Sequence, residues 1–230
     1  TQTERETITE LTIEGTIDAR EFRFMRDSMP VLEVIDIVNT TIKAYSGSKG
    51  PLNYNASYPA DEVPENAFYR SMMASNPEIL LTIKLPKTAT SIGEWAFCNR
   101  KKLKTVQLPS KLVIINELAF MECKSIENIV LPQTLTEIGK MAFNNTGLKS
   151  LVIPKNVKKL GENVFSSCSY ITTVEIQAQL TSIPASAFEF CTRLTSIILP
   201  NTVKTIEKNA FRGCMGLKRA YLPNTVTKVE

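Results

Sequence analysis

Five cysteines and no histidine set the first limit on chemistry in this 230-residue chain. Without histidine the commonest general base is missing, so a Ser or Cys nucleophile would need a Lys or carboxylate helper. The sequence holds no G-x-S-x-G elbow, no P-loop and no G-x-G-x-x-G turn. Paired carboxylates could still run glycosidase-type chemistry, but spacing singles out no pair. There is no C-x-x-C pair to hold a structural zinc. These residues point away from an enzyme and from any resident metal or cofactor.

The cysteines keep step with something else. Cys123, Cys168, Cys191 and Cys214 each follow a phenylalanine by three residues, and Cys98 follows one directly. The phenylalanines, Phe97, Phe120, Phe143, Phe165, Phe188 and Phe211, recur at intervals of 23, 23, 22, 23 and 23. A fixed period of this length is a solenoid signature, in which each turn packs only on its neighbours. The unit reads L-P-x-x-(L/V)-x-x-I-x-x-x-A-F-x-x-C-x-x-L-x-x-(I/V)-x-L, most plainly over residues 199–222. Leu-Pro returns at Leu85-Pro86, Leu108-Pro109, Leu131-Pro132, Leu199-Pro200 and Leu222-Pro223; Ile153-Pro154 is a variant and Ile176-Gln177 a break. The lone interval of 22 comes from Asn144-Asn145-Thr146-Gly147, which brings Leu148 in one residue early.

Each unit predicts its own local structure. Thr105-Val106-Gln107-Leu108 alternates with period two, so it reads as a strand with Val106 and Leu108 inward. Proline after the strand cannot donate the next ladder bond and stops it. Ile92, Ile115, Ile138, Leu160, Ile183 and Ile206 stand five before each phenylalanine. The A-F-x-x-C segment predicts one or two helical turns, with Ala allowing close approach and Phe filling the core. Coils spaced ~4.8 Å apart leave in-register cysteine Cβ atoms beyond the ~3.8 Å mean of a disulfide, which predicts a buried ladder of free thiols.

Residues 1–37 read as an N-terminal cap with the first strands. Ile8, Leu11 and Ile13 repeat the spacing of the later strands. Asp18 and Glu21 have capping-box spacing, and Phe22, Met25 and Met29 share one helical face, so residues 19–29 are expected to be a helix that Pro30 helps to stop. Leu32, Ile35 and Ile37 make the second strand. Residues 38–79 form a divergent repeat, because Ile37 and Leu85 lie 48 residues apart with only Phe68 and Val63 in pattern between them. Residues 46–62, SGSKGPLNYNASYPADE, read as an insertion. Either it is an inert surface loop, or it binds through Tyr45, Tyr54 and Tyr58. Residues 80–230 carry the regular repeats, the last incomplete, and the whole is expected to be one domain. The start at Thr1 fits a mature or trimmed product.

Net charge is +4, short of the clustered basicity that nucleic acid demands. The densest basic run, Arg100-Lys101-Lys102-Leu103-Lys104, lacks interleaved aromatics and reads as a solvated loop. No apolar run approaches the ~18 residues of a membrane span.

Outward strand positions fall into two columns. One holds Glu10, Val34, Thr82, Thr105, Asn128, Ser150, Thr173, Ser196 and Arg219; the other holds Thr12, Asp36, Lys84, Gln107, Val130, Val152, Glu175, Ile198 and Tyr221. Val130, Val152, Ile198, Tyr221 and Arg219, with Glu175 among them, are a candidate contact strip for protein or glycan. Alternatively, β-branched residues simply suit a pleated surface. Trp95 is expected at the core edge.

The repeat closely resembles the BspA-like class of leucine-rich repeats, strongly over residues 80–230, and residues 11–37 resemble the N-terminal cap of Bacteroides members. The resemblance implies an α/β repeat: a right-handed solenoid with a parallel sheet on its concave side. It also implies a secreted or cell-surface setting and adhesion-type binding, here of a host or microbial protein or glycan. The chain is expected to act as a monomer, with anchoring by lipid through a removed N-terminus one route to the surface. A structural spacer within a larger surface protein is the competing reading, and a divergent hydrolase the third. The class has no shared catalytic motif and implies no cofactor.

Overall fold

The computed structural model describes residues 5–71, 73 and 78–230. Thr1, where the expected cap begins, lies outside the described residues. The chain is a parallel β-solenoid of about nine turns with a period near 23 residues. Most coils give one short strand to each of two ladders.

The first ladder opens with β1 (Glu10–Ile17). Helix α1 (Ala19–Ser28) follows, and β2 (Val34–Ile42) returns parallel to β1. The helix starts where the sequence places it. The Asp18 carboxylate accepts from the Arg20 N–H at 2.9 Å, and Glu21 accepts from the Asp18 N–H at 2.7 Å. Phe22 and Met25 then turn onto the core. The insertion folds as an antiparallel hairpin of β3 (Tyr45–Gly47) and β4 (Ala56–Tyr58). The second ladder begins at β5 (Glu62–Val63).

Regular coils then alternate between the ladders. They supply β6 (Thr82–Lys84) and β7 (Ser91–Ile92), then β8 (Thr105–Gln107) and β9 (Ile114–Ile115). The next coil gives only β10 (Glu137–Ile138), to the second ladder. After it come β11 (Ser150–Ile153), β12 (Lys159–Leu160), β13 (Thr173–Ile176) and β14 (Ser182–Ile183). The series ends with β15 (Ser196–Ile198), β16 (Thr205–Ile206), β17 (Arg219–Tyr221) and β18 (Lys228–Val229). The first ladder is in two pieces, β1-β2-β6-β8 and β11-β13-β15-β17; the second is β5-β7-β9-β10-β12 and β14-β16-β18.

The core is one file. Phe68 through Phe188 are fully buried, and neighbouring rings stack with centroids 5.5 Å apart for Phe68 and Phe97, 5.1 Å for Phe97 and Phe120, and 5.6 Å for Phe165 and Phe188. Phe22 of α1 closes the file edge-on to Phe68 at 5.8 Å, so the helix caps the first core layer. Each buried ring contributes about 1.5–3 kcal/mol of apolar transfer, with up to ~1.5 kcal/mol more from ring contact.

The expected helical turns take another form, and no helix is assigned among the described residues after Ser28. A regular helix turns every N–H back on its own chain, leaving none for the next coil. Here alternate donors are divided. Leu118, Phe120 and Glu122 donate to Lys140, Ala142 and Asn144 of the following coil at 2.9, 2.8 and 2.9 Å, whereas Met121 and Cys123 close turns onto Leu118 and Phe120. Reversing direction residue by residue puts Leu118 at φ 59° and Glu122 at φ 63°, and the same left-handed pair recurs around each repeat phenylalanine from Phe97 to Phe211. Asn, which tolerates this region best, holds Asn66, Asn99, Asn145, Asn163 and Asn209. Trp95, also left-handed at φ 57°, lies half-buried against Tyr69 at the core edge.

Residues 127–131 do not form the strand that their alternating pattern predicts. Asn128 and Val130 therefore leave the two outward columns at this level.

Candidate functional site

The nucleophiles are spent on structure. All five cysteines are unpaired; four are buried and Cys214 is half-buried. The Sγ atoms of Cys123, Cys168, Cys191 and Cys214 donate to the carbonyls of Phe97, Phe143, Phe165 and Phe188, one coil back, at 3.1–3.3 Å. Burial pushes the Cys168 thiol up to about 11 and the Cys98 thiol up to about 12, away from the reactive thiolate. Arg100 occupies the same place in its coil, three residues after Phe97, and its Nε donates to Phe68 O at 2.5 Å. Its loss of solvent draws the guanidinium down to about 10. The basic run is thus split: Arg100 is turned inward and Lys101 and Lys102 are exposed.

Among the described residues no group of three or more His, Cys, Asp or Glu could hold a metal ion. Burial raises the carboxyls of Glu62 and Glu65, the second helped by the nearby charge of Glu94. Ser91 donates to Glu62 at 2.8 Å, which anchors β5 to β7. No helix of the described residues is long and apolar enough to cross a membrane.

The outward columns follow from register. Thr82 pairs with Thr105 and Lys84 with Gln107; Ser150 pairs with Thr173, Val152 with Glu175, Ser196 with Arg219 and Ile198 with Tyr221. Within this face Val152 is 44% exposed, Ile198 66% and Tyr221 53%. Glu175 stands exposed between Val152 and Ile198 and accepts from Gln177 at 2.8 Å. Arg219 is exposed on the same strand as Tyr221, two residues before it. Toward the N-terminus the column becomes ionic, with Lys84 donating to Asp36 at 2.7 Å. That bond holds the Asp36 carboxyl below the usual carboxylate range.

The insertion divides its tyrosines. Tyr54 is exposed, but Tyr58 is only 4% exposed and cannot serve as a contact residue. Its hydroxyl accepts from the Leu52 N–H at 2.9 Å and its ring stacks on Tyr45, so it is the core of the hairpin. Side-chain type alone could not separate the two, since each tyrosine stands in the same Gly- and Asn-rich setting.

The pattern did not reveal a cleft of about 1190 Å³ beside the missing strand. Lys104 to Leu108 form one wall and Lys124 to Val130 the other, with Lys149, Tyr170 and Arg193 along the rim. Val130, 85% exposed, stands at its edge and not in the strip with Val152. The Arg193 guanidinium lies 4.9 Å over the Tyr170 ring. Two traces of the cleft were present in the sequence: the residue missing after Phe143, and the 23-residue step from Tyr170 to Arg193.

Comparison with known proteins agrees with this geometry. A leucine-rich repeat protein from Bacteroides ovatus is 26% identical with a TM-score of 0.71, over 86% of this chain and 48% of that one. The chain therefore spans about half the length of that relative. A leucine-rich repeat protein from T. pallidum is 28% identical with a TM-score of 0.51, over 74% and 67% of the two chains. One from Eubacterium ventriosum, at 16% identity and a TM-score of 0.53 over 95% and 67%, shares the fold. No curated protein matches by sequence. The model of the BspA type leucine rich repeat region matches in six copies over residues 61–129 and 113–230. With its single phenylalanine file and its parallel ladders, the chain belongs to the BspA-type leucine-rich repeat family.

Proposed function

We propose that this chain is a non-catalytic binding module of a secreted or cell-surface protein, presenting its strand face to a host or microbial protein or glycan. The observation that carries the reading is the run of exposed apolar side chains, Val152, Ile198 and Tyr221, held in one register on that face beside Glu175 and Arg219. Stacked coils fix their spacing before any ligand arrives, so little ordering cost falls on binding. Exposed Tyr54 on the hairpin is a second contact point of the same kind. The surface setting follows the resemblance to Bacteroides-type surface proteins. In this reading the chain works as a monomer and a single domain, with residues 1–37 as cap, 38–79 as the divergent coil and 80–230 as the repeat array.

Glu175 favours the competing role of spacer, because it breaks the apolar strip and is satisfied within the chain by Gln177. A glycan array and immobilised mucin, probed with the chain and with Val152→Lys/Ile198→Lys, distinguish the two. A binding module loses about tenfold or more in affinity in the double variant, equivalent to about 1.4 kcal/mol or more, with its melting temperature unchanged. Equal binding by both proteins removes the strand face from consideration, and no binding by either favours the spacer.

A further inference from the structure

The first ladder is interrupted in its middle. Between β6 and β8 the rungs are complete, with Lys104 N donating to Leu81 O at 2.8 Å and Leu85 N to Gln107 O at 3.1 Å. One coil on, the equivalent bonds from Glu127 N to Lys104 O and from Leu108 N to Val130 O are absent. Among the described residues no backbone hydrogen bond joins 104–108 to 127–131. The second ladder stays closed at this level through β9 and β10, as does the turn side, where Phe120 N meets Ala142 O. The opening is therefore a local wedge on the strand side.

The next coil carries the short turn after Phe143. A Cβ on Gly147 would lie 2.1 Å from Lys124 O, so Gly147 sits tightly on the turn that precedes 127–131. The free edge of β8 then faces the cleft with a row of unpaired N–H and C=O groups. Such an edge is a ready template for another strand. The lining chooses the sign of the partner's charge. Lys104, Lys124, Lys149 and Arg193 surround the cleft against Glu127. Lys149 is held by Glu127 at 2.5 Å and Lys124 by Glu122 at 3.1 Å, and Lys104 has no ion pair among the described residues. The volume exceeds the ~300–1,000 Å³ of small-molecule sites, which suits a length of chain.

We infer that the free edge of β8 is an acceptor for an extended, acidic peptide segment of a protein partner, which adds as a strand beside Val106. This deepens the binding-module reading and rests on it. The segment's backbone would satisfy the groups that 127–131 leaves open, while its outward carboxylates meet Lys104 and Arg193. Val130 would lie against its inward or β-branched residues.

The test uses amide exchange and one labelled peptide alternating glutamate with valine. In the free chain the amides of Val106 and Leu108 are expected to exchange like those of turns, while Ile83 and Val174 stay protected. Protection of all four in the free chain closes the wedge in solution and overturns the inference. The acidic peptide is expected to slow exchange at Val106 and Leu108. Its counterpart N-methylated at alternate residues, its lysine counterpart, and Lys104→Glu with unchanged melting should each bind about tenfold more weakly or worse. Equal binding of the N-methylated peptide, or no binding of the acidic one, overturns it. So does protection at Ile198 and Tyr221 instead, a result that leaves the strand-face reading standing.

Discussion

Cys123 Sγ donates to the carbonyl oxygen of Phe97 at 3.2 Å, and Cys168, Cys191 and Cys214 are tied in the same way to the backbone of the core phenylalanine one coil back. Thr146 takes the thiol's place in the short coil and lies 3.0 Å from Cys168 Sγ, so the column continues where the cysteine is missing. A thiol reagent added to the folded protein is expected to modify half-buried Cys214 first and the buried four only on unfolding. A count on denatured, unreduced protein should return five. A lower count would show disulfides that the coil spacing forbids.

The same burial predicts alkaline sensitivity. Folding raises the thiol values above 9.0, to about 11 at Cys168 and about 12 at Cys98. Below pH 9 both folded and unfolded chains keep their thiols protonated, and the thiols add no pH dependence. From about 9 upward the unfolded chain releases protons first, so stability should fall up to about pH 11–12. Denaturant midpoints across that window check the sign, with Cys168→Ala showing a smaller slope.

Phe120 lies 5.1 Å from the ring of Phe97 and 5.2 Å from that of Phe143, in the middle of the file. Phe120→Ala is expected to cost about 3–5 kcal/mol, and Phe120→Leu less. Because coils couple chiefly to neighbours, the alanine variant should also split the urea transition into two phases. A single unshifted transition would mean that the rings do not carry the core.

Gly147→Ala tests how tightly the short turn is seated. Its Cβ would meet the Lys124 carbonyl, a backbone atom that cannot swing aside, and the loss should be about 1–3 kcal/mol. Amide exchange at Lys149, whose N–H donates to Glu127 O at 2.9 Å, should accelerate most. An unchanged melting temperature would mean that the turn has room for a Cβ at Gly147.

The repeat was legible because it is written in residues whose packing is the same in every coil. Phe, Ala and Cys at fixed spacing determine the file, and Asp18 with Glu21 determines where α1 begins, since these bonds are local or repeated. The alternating left-handed turns were not legible. They exist because coils hydrogen-bond to each other, and that demand overrides the local preference of Leu118 or Trp95. Tyr58 and Tyr54 likewise differ only in what the hairpin folds over them. The wedge beside β8 shows the limit most clearly. Glu127 to Leu131 keep the strand pattern, yet no backbone bond joins them to 104–108 among the described residues. Sequence alone determined that coils stack and what fills them; tertiary contact between coils decided which edges close, because a rung forms only when both neighbours reach it.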